Sequence, residues 1–320
     1  MRTLTFLLSE LKKHSNCFPG EAPIPTLCLM YGTILSVLLM GMAPVLNASL
    51  ADVVTPPSIL SVAAPTPVTE GSASASGLGR RVSASGMLVV DLQSGQNVYG
   101  RDVSHRRAMG SLTKLMTALI IVEGHALDEH VTVPADIGDV EGSSARLPAG
   151  ATFTVGDLLS GLLMASGNDA ARTLALYHSG SEAAFVRLMN ARARELGLQD
   201  TSFANSAGLD DPDQWSTPRD IGWLATFVWR QPAIRERMST AQVTIRSVDG
   251  RAISLSHTHE LLHETSHVVA GKTGTTTAAR ECLLSVVKEG DREYLVVLLG
   301  SRGRYTDMRA LLKTLGDLLA

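Results

Sequence analysis

The chain has 320 residues, of which 45% are hydrophobic and 18% charged, and its formal net charge is −3. It contains no long basic run and no interleaving of aromatic with basic residues, so the sequence argues against nucleic acid as a partner. Cys17 and Cys28 lie in the first 51 residues, which leaves Cys282 alone in the remainder. One cysteine forms no internal disulfide, so the folded part must depend on its hydrophobic core.

The first 51 residues have the order of segments that is typical of a secretory signal. Basic residues near the start precede an uncharged apolar run from Leu27 to Met42, and small residues lead up to Ala51. This order predicts export, with residues 1–51 acting as a signal peptide or, if uncleaved, as an N-terminal membrane anchor. The expected location is therefore the periplasm, with any membrane association either peripheral or through this leader.

A second composition change separates the leader from the predicted folded part. Residues 52–85 are rich in Ser, Ala, Pro, Thr and Gly and show no sustained periodicity, which predicts a flexible linker. The folded part is expected over 86–320, a length that suits one domain of two lobes.

The predicted elements place strands at both ends of this domain and helices in its middle. Strands are expected at 87–92, 96–99, 266–270, 282–287 and 294–299. Helices are expected at 112–123, 168–178, 181–196 and about 305–319, with further helix starts at Thr154–Asp157 and Ser216–Asp220. This order indicates an α+β fold, in which an antiparallel sheet is flanked by helices and a helical lobe.

Three short polar motifs occur in order along the domain. They are Ser111–Lys114 (Ser-Leu-Thr-Lys), Ser166–Asn168 (Ser-Gly-Asn) and Lys272–Gly274 (Lys-Thr-Gly), at a predicted helix start, an inter-helix turn and a strand. Each motif alone is most often structural: a capped helix start, a polar turn or a strand end. Their joint occurrence favours a serine nucleophile site, because penicillin-binding proteins and class A β-lactamases carry this trio.

The first motif supplies a nucleophile and a base. A serine hydroxyl is a poor nucleophile until a base takes its proton, and Lys114 lies one helical turn after Ser111 on the same face. The lysine must be partly neutral to act as that base, so we expect burial, or a second cation such as Lys272, to lower its pKa. The free amides of the same helix start would favour negative charge on the attacked carbonyl.

Beyond the trio, the region 86–315 resembles the low-molecular-weight D-alanyl-D-alanine peptidases, which are penicillin-binding proteins. The similar stretches are 109–118, 163–171, 185–198, 205–220 and 271–274. The resemblance implies the serine DD-peptidase and β-lactamase type of fold, with no cofactor and no metal. It also implies peptidoglycan stem peptides as substrates and β-lactams as covalent inhibitors.

The resemblance also implies a catalytic role for individual residues. Ser111 would form the acyl-enzyme, Lys114 would be its base, and Ser166 would relay a proton toward the leaving amine. The backbone N–H groups of Ser111 and Thr275 would form the oxyanion hole.

The remaining implied roles concern substrate binding. Asn168 would hydrogen-bond the substrate peptide, while Lys272 and Thr273 would hold the substrate carboxylate. The chain departs from the family pattern at three positions near the motifs, namely Gly110 (usually Ala), Thr277 (often Asp or Asn) and Arg280 (often Gly).

Two other functions compete with the peptidase. A class A-type β-lactamase would need a deacylating glutamate after the second motif, and residues 200–215 offer acids but no recognisable motif of that kind. An inert penicillin-binding scaffold would have no need of Lys114 or Ser166. Labelling with a fluorescent penicillin would separate them, since it persists on a DD-peptidase, turns over on a β-lactamase and is absent from a scaffold.

The segment His259–His263 (His-Glu-Leu-Leu-His) has the residue sequence of the zinc-protease motif His-Glu-x-x-His. The preceding residues 251–257 alternate as a strand does, and no third ligand follows at a suitable spacing. We therefore expect no catalytic zinc, although the histidines between His257 and His267 could bind metal adventitiously.

The exact reaction depends on weaker signals. The resembled carboxypeptidases usually continue into a second domain, whereas this chain ends one helix after its last predicted strand. The leucines of that helix could form a membrane anchor, but packing on the sheet is the simpler account. Residues 304–307 at its start look more like the short endopeptidases of the penicillin-binding protein 7 type. The expectation is therefore cleavage of D-alanyl cross-links, with removal of terminal D-alanine as the alternative.

Overall fold

The computed structural model describes residues 81–137 and 140–319, with side chains up to residue 314. The predicted leader, 1–51, and residues 52–80 of the predicted linker lie outside the described residues.

A five-stranded antiparallel sheet brings together the two ends of the described chain. The strands are β1 (Gly86–Asp91), β2 (Asn97–Arg101), β7 (Val268–Thr276), β8 (Arg280–Glu289) and β9 (Arg292–Ser301). Their order in the sheet is β2-β1-β9-β8-β7. Because β1 pairs with β9, the predicted sheet built from both chain ends is confirmed.

Among the described residues, six helices form the helical part of the fold, and the first five of them were predicted. They are α1 (Lys114–Gly124), α2 (Val155–Leu163), α3 (Asn168–Ser179), α4 (Glu182–Glu195), α5 (Pro218–Trp229) and α6 (Pro232–Ser239). Helix α1 lies at the centre, and its residues from Lys114 to Ile121 are all buried. Thr154 and Thr217 cap α2 and α5 by accepting from the N–H three residues later, as their sequences predict.

Three elements were not predicted in full. The hairpin of β3 (His130–Thr132) and β4 (Thr152–Thr154) has strands too short to show alternation, and α6 follows α5 after a very short turn. A second hairpin joins β5 (Gln242–Arg246) to β6 (Ala252–Ser256). Only its second strand was visible as an alternating pattern.

The last helix, α7 (Arg304–Leu319), lies against the sheet, where Met308 and Leu311 pack with Val89 and Leu298. The part of α7 with described side chains therefore agrees with the simpler of the two accounts of this segment. Within the part of the chain that is described, no helix is both long and apolar enough to cross a membrane.

Contacts with the fold begin inside the segment predicted as linker. Val82 and Ala84 are buried, and the Ser83 N–H donates to Asp307 Oδ1 over 2.7 Å. Because these three residues are small and too few to show a periodic pattern, their packing against α7 could not be predicted from the sequence.

Candidate active site

Ser111 lies on a short 3-10 turn, Gly110–Thr113, that runs directly into α1. The helix was predicted to begin at about Leu112, but its α-helical part begins at Lys114. Side chains at i and i+3 eclipse in a 3-10 turn, so this start places the lysine over the serine. The Lys114 Nζ to Ser111 Oγ distance is 2.9 Å.

The Lys114 amine is fully buried and has three oxygen partners. Besides Ser111 Oγ, it contacts Asn168 Oδ1 and the Ala207 carbonyl, each at 2.6 Å. A neutral amine has two N–H groups and one lone pair. Asn168 and Ala207 can accept the two N–H groups, which leaves the lone pair directed at the serine hydroxyl.

Burial lowers the pKa of Lys114 to about 7, and the negative charge of Asp169 opposes this shift. Desolvation is therefore the main cause, rather than the second cation that was also considered. Lys272 is buried as well, and its pKa lies well below the usual lysine value because of burial first and then of Lys114 and Arg304.

Acylation should depend on pH through this amine. Lys114 must lose its proton to accept one from Ser111, so kcat/KM should rise as pH rises through about 7 and then level off. The second-order rate of penicillin acylation, measured between pH 5 and 9, checks this expectation. A rate that is flat over the range would contradict it.

The second and third motifs meet on the opposite wall of the site. Lys272 Nζ donates to Ser166 Oγ over 2.7 Å and to the Thr273 carbonyl over 2.8 Å. Ser166 has a φ of +57°, a left-handed conformation that costs a non-glycine residue free energy. The turn before α3 thus holds this hydroxyl toward the lysine of β7.

The backbone of β7 lies very close to the 3-10 turn. A methyl group on Gly274 would lie 3.0 Å from the Ser111 nitrogen, and one on Gly110 would lie 3.2 Å from the Thr275 nitrogen. The backbone segments that carry the two amides of the predicted oxyanion hole therefore lie against each other. Gly110 has a φ of +53°, which explains why glycine suits the position where the family usually has alanine.

Together these groups line a cleft of about 280 Å³. Its lining residues are Ser111, Ser143, Ser166, Thr258, Thr273, Gly274, Thr275, Glu281, Arg304 and Tyr305. The predicted Ser111, Ser166, Thr273 and Thr275 are among them. Lys114, Asn168 and Lys272 lie just behind this surface, where they contact the two serines or each other.

Arg304 was not predicted as a site residue. Its guanidinium donates to the Gly274 carbonyl over 2.9 Å and to Thr275 Oγ1, and its Nε lies 3.3 Å from Glu281 Oε2. The residue follows the third motif by about thirty positions without a motif of its own. Only the packing of α7 on the sheet brings its charge to the cleft.

Asn205 was also missed as a site residue. Its Oδ1 accepts from the N–H groups of Gly208 and Leu209, at 2.7 and 3.0 Å, which fixes the turn that carries the Ala207 carbonyl to Lys114. Asn-Ser-Ala-Gly is a recognisable turn sequence, but the sequence does not indicate which side chain its carbonyl reaches.

Asp169 was noted only within the family resemblance, yet it anchors the loop that borders the cleft. Its Oδ1 accepts from the Ala145 and Ala170 N–H groups, and its Oδ2 accepts from Ser144 Oγ and the Leu147 N–H. All four bonds measure between 2.7 and 3.0 Å.

Asp169→Ala should therefore destabilise the fold by about 3 kcal/mol, because several buried donors lose their acceptor together. Chemical denaturation measures this change. The exposed Asp213→Ala is the control and should stay within about 0.5 kcal/mol of the parent. Equal stability of the two variants would refute the anchoring role.

The His259–His263 segment is not arranged as a metal site. His259 Nε2 pairs with Ser285 Oγ and His263 Nε2 with the His257 carbonyl, both at 2.8 Å, while Glu260 pairs with Arg309. Within the described ranges, no group of three or more His, Cys, Asp or Glu side chains could hold a metal ion.

A serine in contact with a buried amine of near-neutral pKa, beside a second serine–lysine pair, is the arrangement of serine acyl-transfer enzymes whose base is lysine. Comparison with known proteins agrees. The chain belongs to the peptidase S11 family, described as D-alanyl-D-alanine carboxypeptidase, whose model matches residues 70–303.

Individual relatives carry both peptidase names. The chain is 32% identical to D-alanyl-D-alanine carboxypeptidase DacF of Bacillus subtilis, over 68% of this chain and 57% of DacF. It is 27% identical to a D-alanyl-D-alanine endopeptidase of Escherichia coli, over 76% and 79% of the two chains. It spans 62% of the carboxypeptidase DacD of Salmonella typhimurium, so these two carboxypeptidases are matched over less than two thirds of their length.

Among solved structures, a mutant of the Streptomyces K15 DD-transpeptidase aligns with a TM-score of 0.70 and 27% identity. The alignment covers 74% of this chain and 98% of that one. The predicted α+β fold of the DD-peptidase type is therefore confirmed.

Proposed function

We propose that this protein is a serine DD-peptidase that acts on peptidoglycan stem peptides through an acyl-enzyme on Ser111. The observation that carries the proposal is the 2.9 Å contact between Ser111 Oγ and the Lys114 amine, whose pKa is about 7. At neutral pH a large fraction of that amine is unprotonated, so it can take the serine proton as the C–O bond forms.

In the acylation step, Ser111 Oγ attacks the carbonyl carbon of the D-alanine before the scissile bond, and its proton moves to Lys114. Negative charge develops on the carbonyl oxygen next to the Ser111 and Thr275 amides. Ser166, held by Lys272, gives its proton to the leaving amine as the C–N bond breaks and takes back the proton that Lys114 received, so that both groups return to their starting state. Water then hydrolyses the Ser111 ester and restores the free serine.

Several groups around the leaving residue can bind its carboxylate. Thr273 and Thr275 carry hydroxyl groups on the cleft wall, with Lys272 behind them and Arg304 beside them. Contact of Asn168 with the acyl part of the peptide is proposed from the family resemblance alone, because its amide is held between Lys114 and the Glu141 carbonyl. A β-lactam carries a carboxylate next to its reactive amide, so the same groups support β-lactams as covalent inhibitors.

Within this reaction class, cross-link cleavage is the proposed activity and removal of terminal D-alanine the alternative. Relatives named for each activity match the chain. A periplasmic location is likewise proposed, on the strength of the leader-like composition of residues 1–51.

A muropeptide digest tests the proposal. Purified protein should convert cross-linked dimers to monomers, and both penicillin and Ser111→Ala should abolish the conversion. Release of terminal D-alanine with dimers untouched would support the alternative. No product from either substrate, by a folded protein, would refute the peptidase.

A further inference from the structure

Glu281 places a carboxylate in a cleft that otherwise presents cations and hydroxyls. It lies opposite Thr275 across the β7–β8 pair, next to Thr275 and Arg304, which are proposed to bind the leaving residue's carboxylate. Its side chain is 38% exposed, whereas that of Arg304 is only 8% exposed. An anion in this position weakens the attraction for any ligand that offers only a carboxylate.

The contacts of Glu281 leave part of its carboxylate for a ligand. Oε2 accepts from the Arg304 backbone N–H over 2.7 Å and lies 3.3 Å from its Nε. Among the described residues, no other hydrogen bond reaches this carboxylate, so Oε1 remains an acceptor at the cleft surface.

We infer that Glu281 is a specificity residue that selects leaving groups carrying an N–H donor beyond their carboxylate. The inference rests on the proposed DD-peptidase function and names the substrate class of that site. A diamino acid provides such a donor, because its second nitrogen lies five bonds from the first α-carbon. Bonds of about 1.5 Å in an extended zigzag chain advance about 1.25 Å each, so that nitrogen reaches roughly 6 Å past the carboxylate-bearing carbon.

The geometry fits this reach. The Arg304 guanidinium contacts both Thr275 Oγ1 and Glu281 Oε2, so the distance between these two oxygens is set by its width. A leaving residue whose carboxylate lies at the Thr275 and Arg304 end can therefore extend its side chain to the glutamate. A terminal D-alanine has only a methyl group there and gains nothing from Glu281.

The test uses three synthetic peptides that share the same acyl part, which ends in D-alanine. They differ only in the leaving residue that follows it. The leaving residues are D-lysine acetylated on its side-chain amine, D-norleucine, which has no second nitrogen, and D-alanine. The parent protein should cleave the acetyl-lysine peptide on the order of tenfold faster in kcat/KM than the norleucine peptide, as expected for a charge-assisted hydrogen bond.

Glu281→Gln keeps an acceptor for Arg304 but removes the charge. Its preference should fall to about threefold, since neutral hydrogen bonds are roughly half as strong. Its release of D-alanine should rise severalfold, because one repulsive carboxylate is gone. Glu289→Gln, at the far end of β8, is the matched control and should behave as the parent does.

The outcomes separate this inference from the function on which it rests. If the parent cleaves none of the peptides, the peptidase proposal fails. If the parent cleaves the acetyl-lysine and norleucine peptides at equal rates, the inference about Glu281 fails, whatever the variant does. The inference also fails if the Glu281→Gln variant keeps the parental preference. Penicillin labelling of the variant establishes that its site is intact. Should the variant be unlabelled, the parental comparison alone decides.

Discussion

Lys114→Met should lower kcat/KM for peptide cleavage and the rate of penicillin acylation on the order of 10³-fold. Methionine has a similar shape but cannot accept the Ser111 proton, and general-base assistance contributes about 10²- to 10⁴-fold. Ser111 would remain in place, but the variant would lack the amine that lies 2.9 Å from its Oγ in the parent. Stopped-flow or gel-based labelling with a fluorescent penicillin measures the change.

Lys114→Arg distinguishes proton transfer from charge. A guanidinium keeps the positive charge but stays protonated at any working pH, so the arginine variant should be about as slow as the methionine variant. Lys313→Met, on the exposed side of α7, is the control and should label at the parental rate. Rapid labelling of either Lys114 variant would mean that another group is the base.

Lys272→Met should lower kcat/KM for substrates with a free carboxylate by roughly 10²-fold or more. The change removes the hydrogen bond to Ser166 and the donor that is proposed to bind the substrate carboxylate. Truncating one partner of a hydrogen-bonded charge pair in a binding site costs about 2–5 kcal/mol. Steady-state kinetics on a peptide ending in D-Ala-D-Ala measures the loss.

The exposed Lys288→Met, on the neighbouring strand β8, removes the same charge outside the cleft. It should leave the kinetics unchanged. If Lys272→Met retained parental kcat/KM, the placement of the substrate carboxylate at this end of β7 would be wrong.

Local chemistry explains what could be predicted from the sequence. The caps at Thr154 and Thr217 use donors three residues away, so their sequences contain both partners. The Ser111–Lys114 spacing is local in the same sense. The apolar runs of β8 and β9 are long, which is why each of these strands could be placed within two residues at both ends. The prediction for β7, 266–270, stopped too early, because the strand continues through the polar third motif to Thr276 and no apolar residue marks that part.

Long-range packing explains what could not be predicted. The acceptors of the Lys114 amine include Ala207 O, which lies 93 residues away, and no local pattern indicates that pairing. Arg304 reaches the cleft only because α7 lies on the sheet. The cause of the lowered Lys114 pKa is also a property of the folded core, because burial depends on all the helices around α1.

Mass spectrometry of the protein after reaction with benzylpenicillin tests the central claim most directly. We predict one covalent adduct per chain, located on the peptide that contains Ser111, and no adduct on the folded Ser111→Ala variant. An adduct on another residue, or an equal adduct on the alanine variant, would contradict the assignment of Ser111 as the nucleophile.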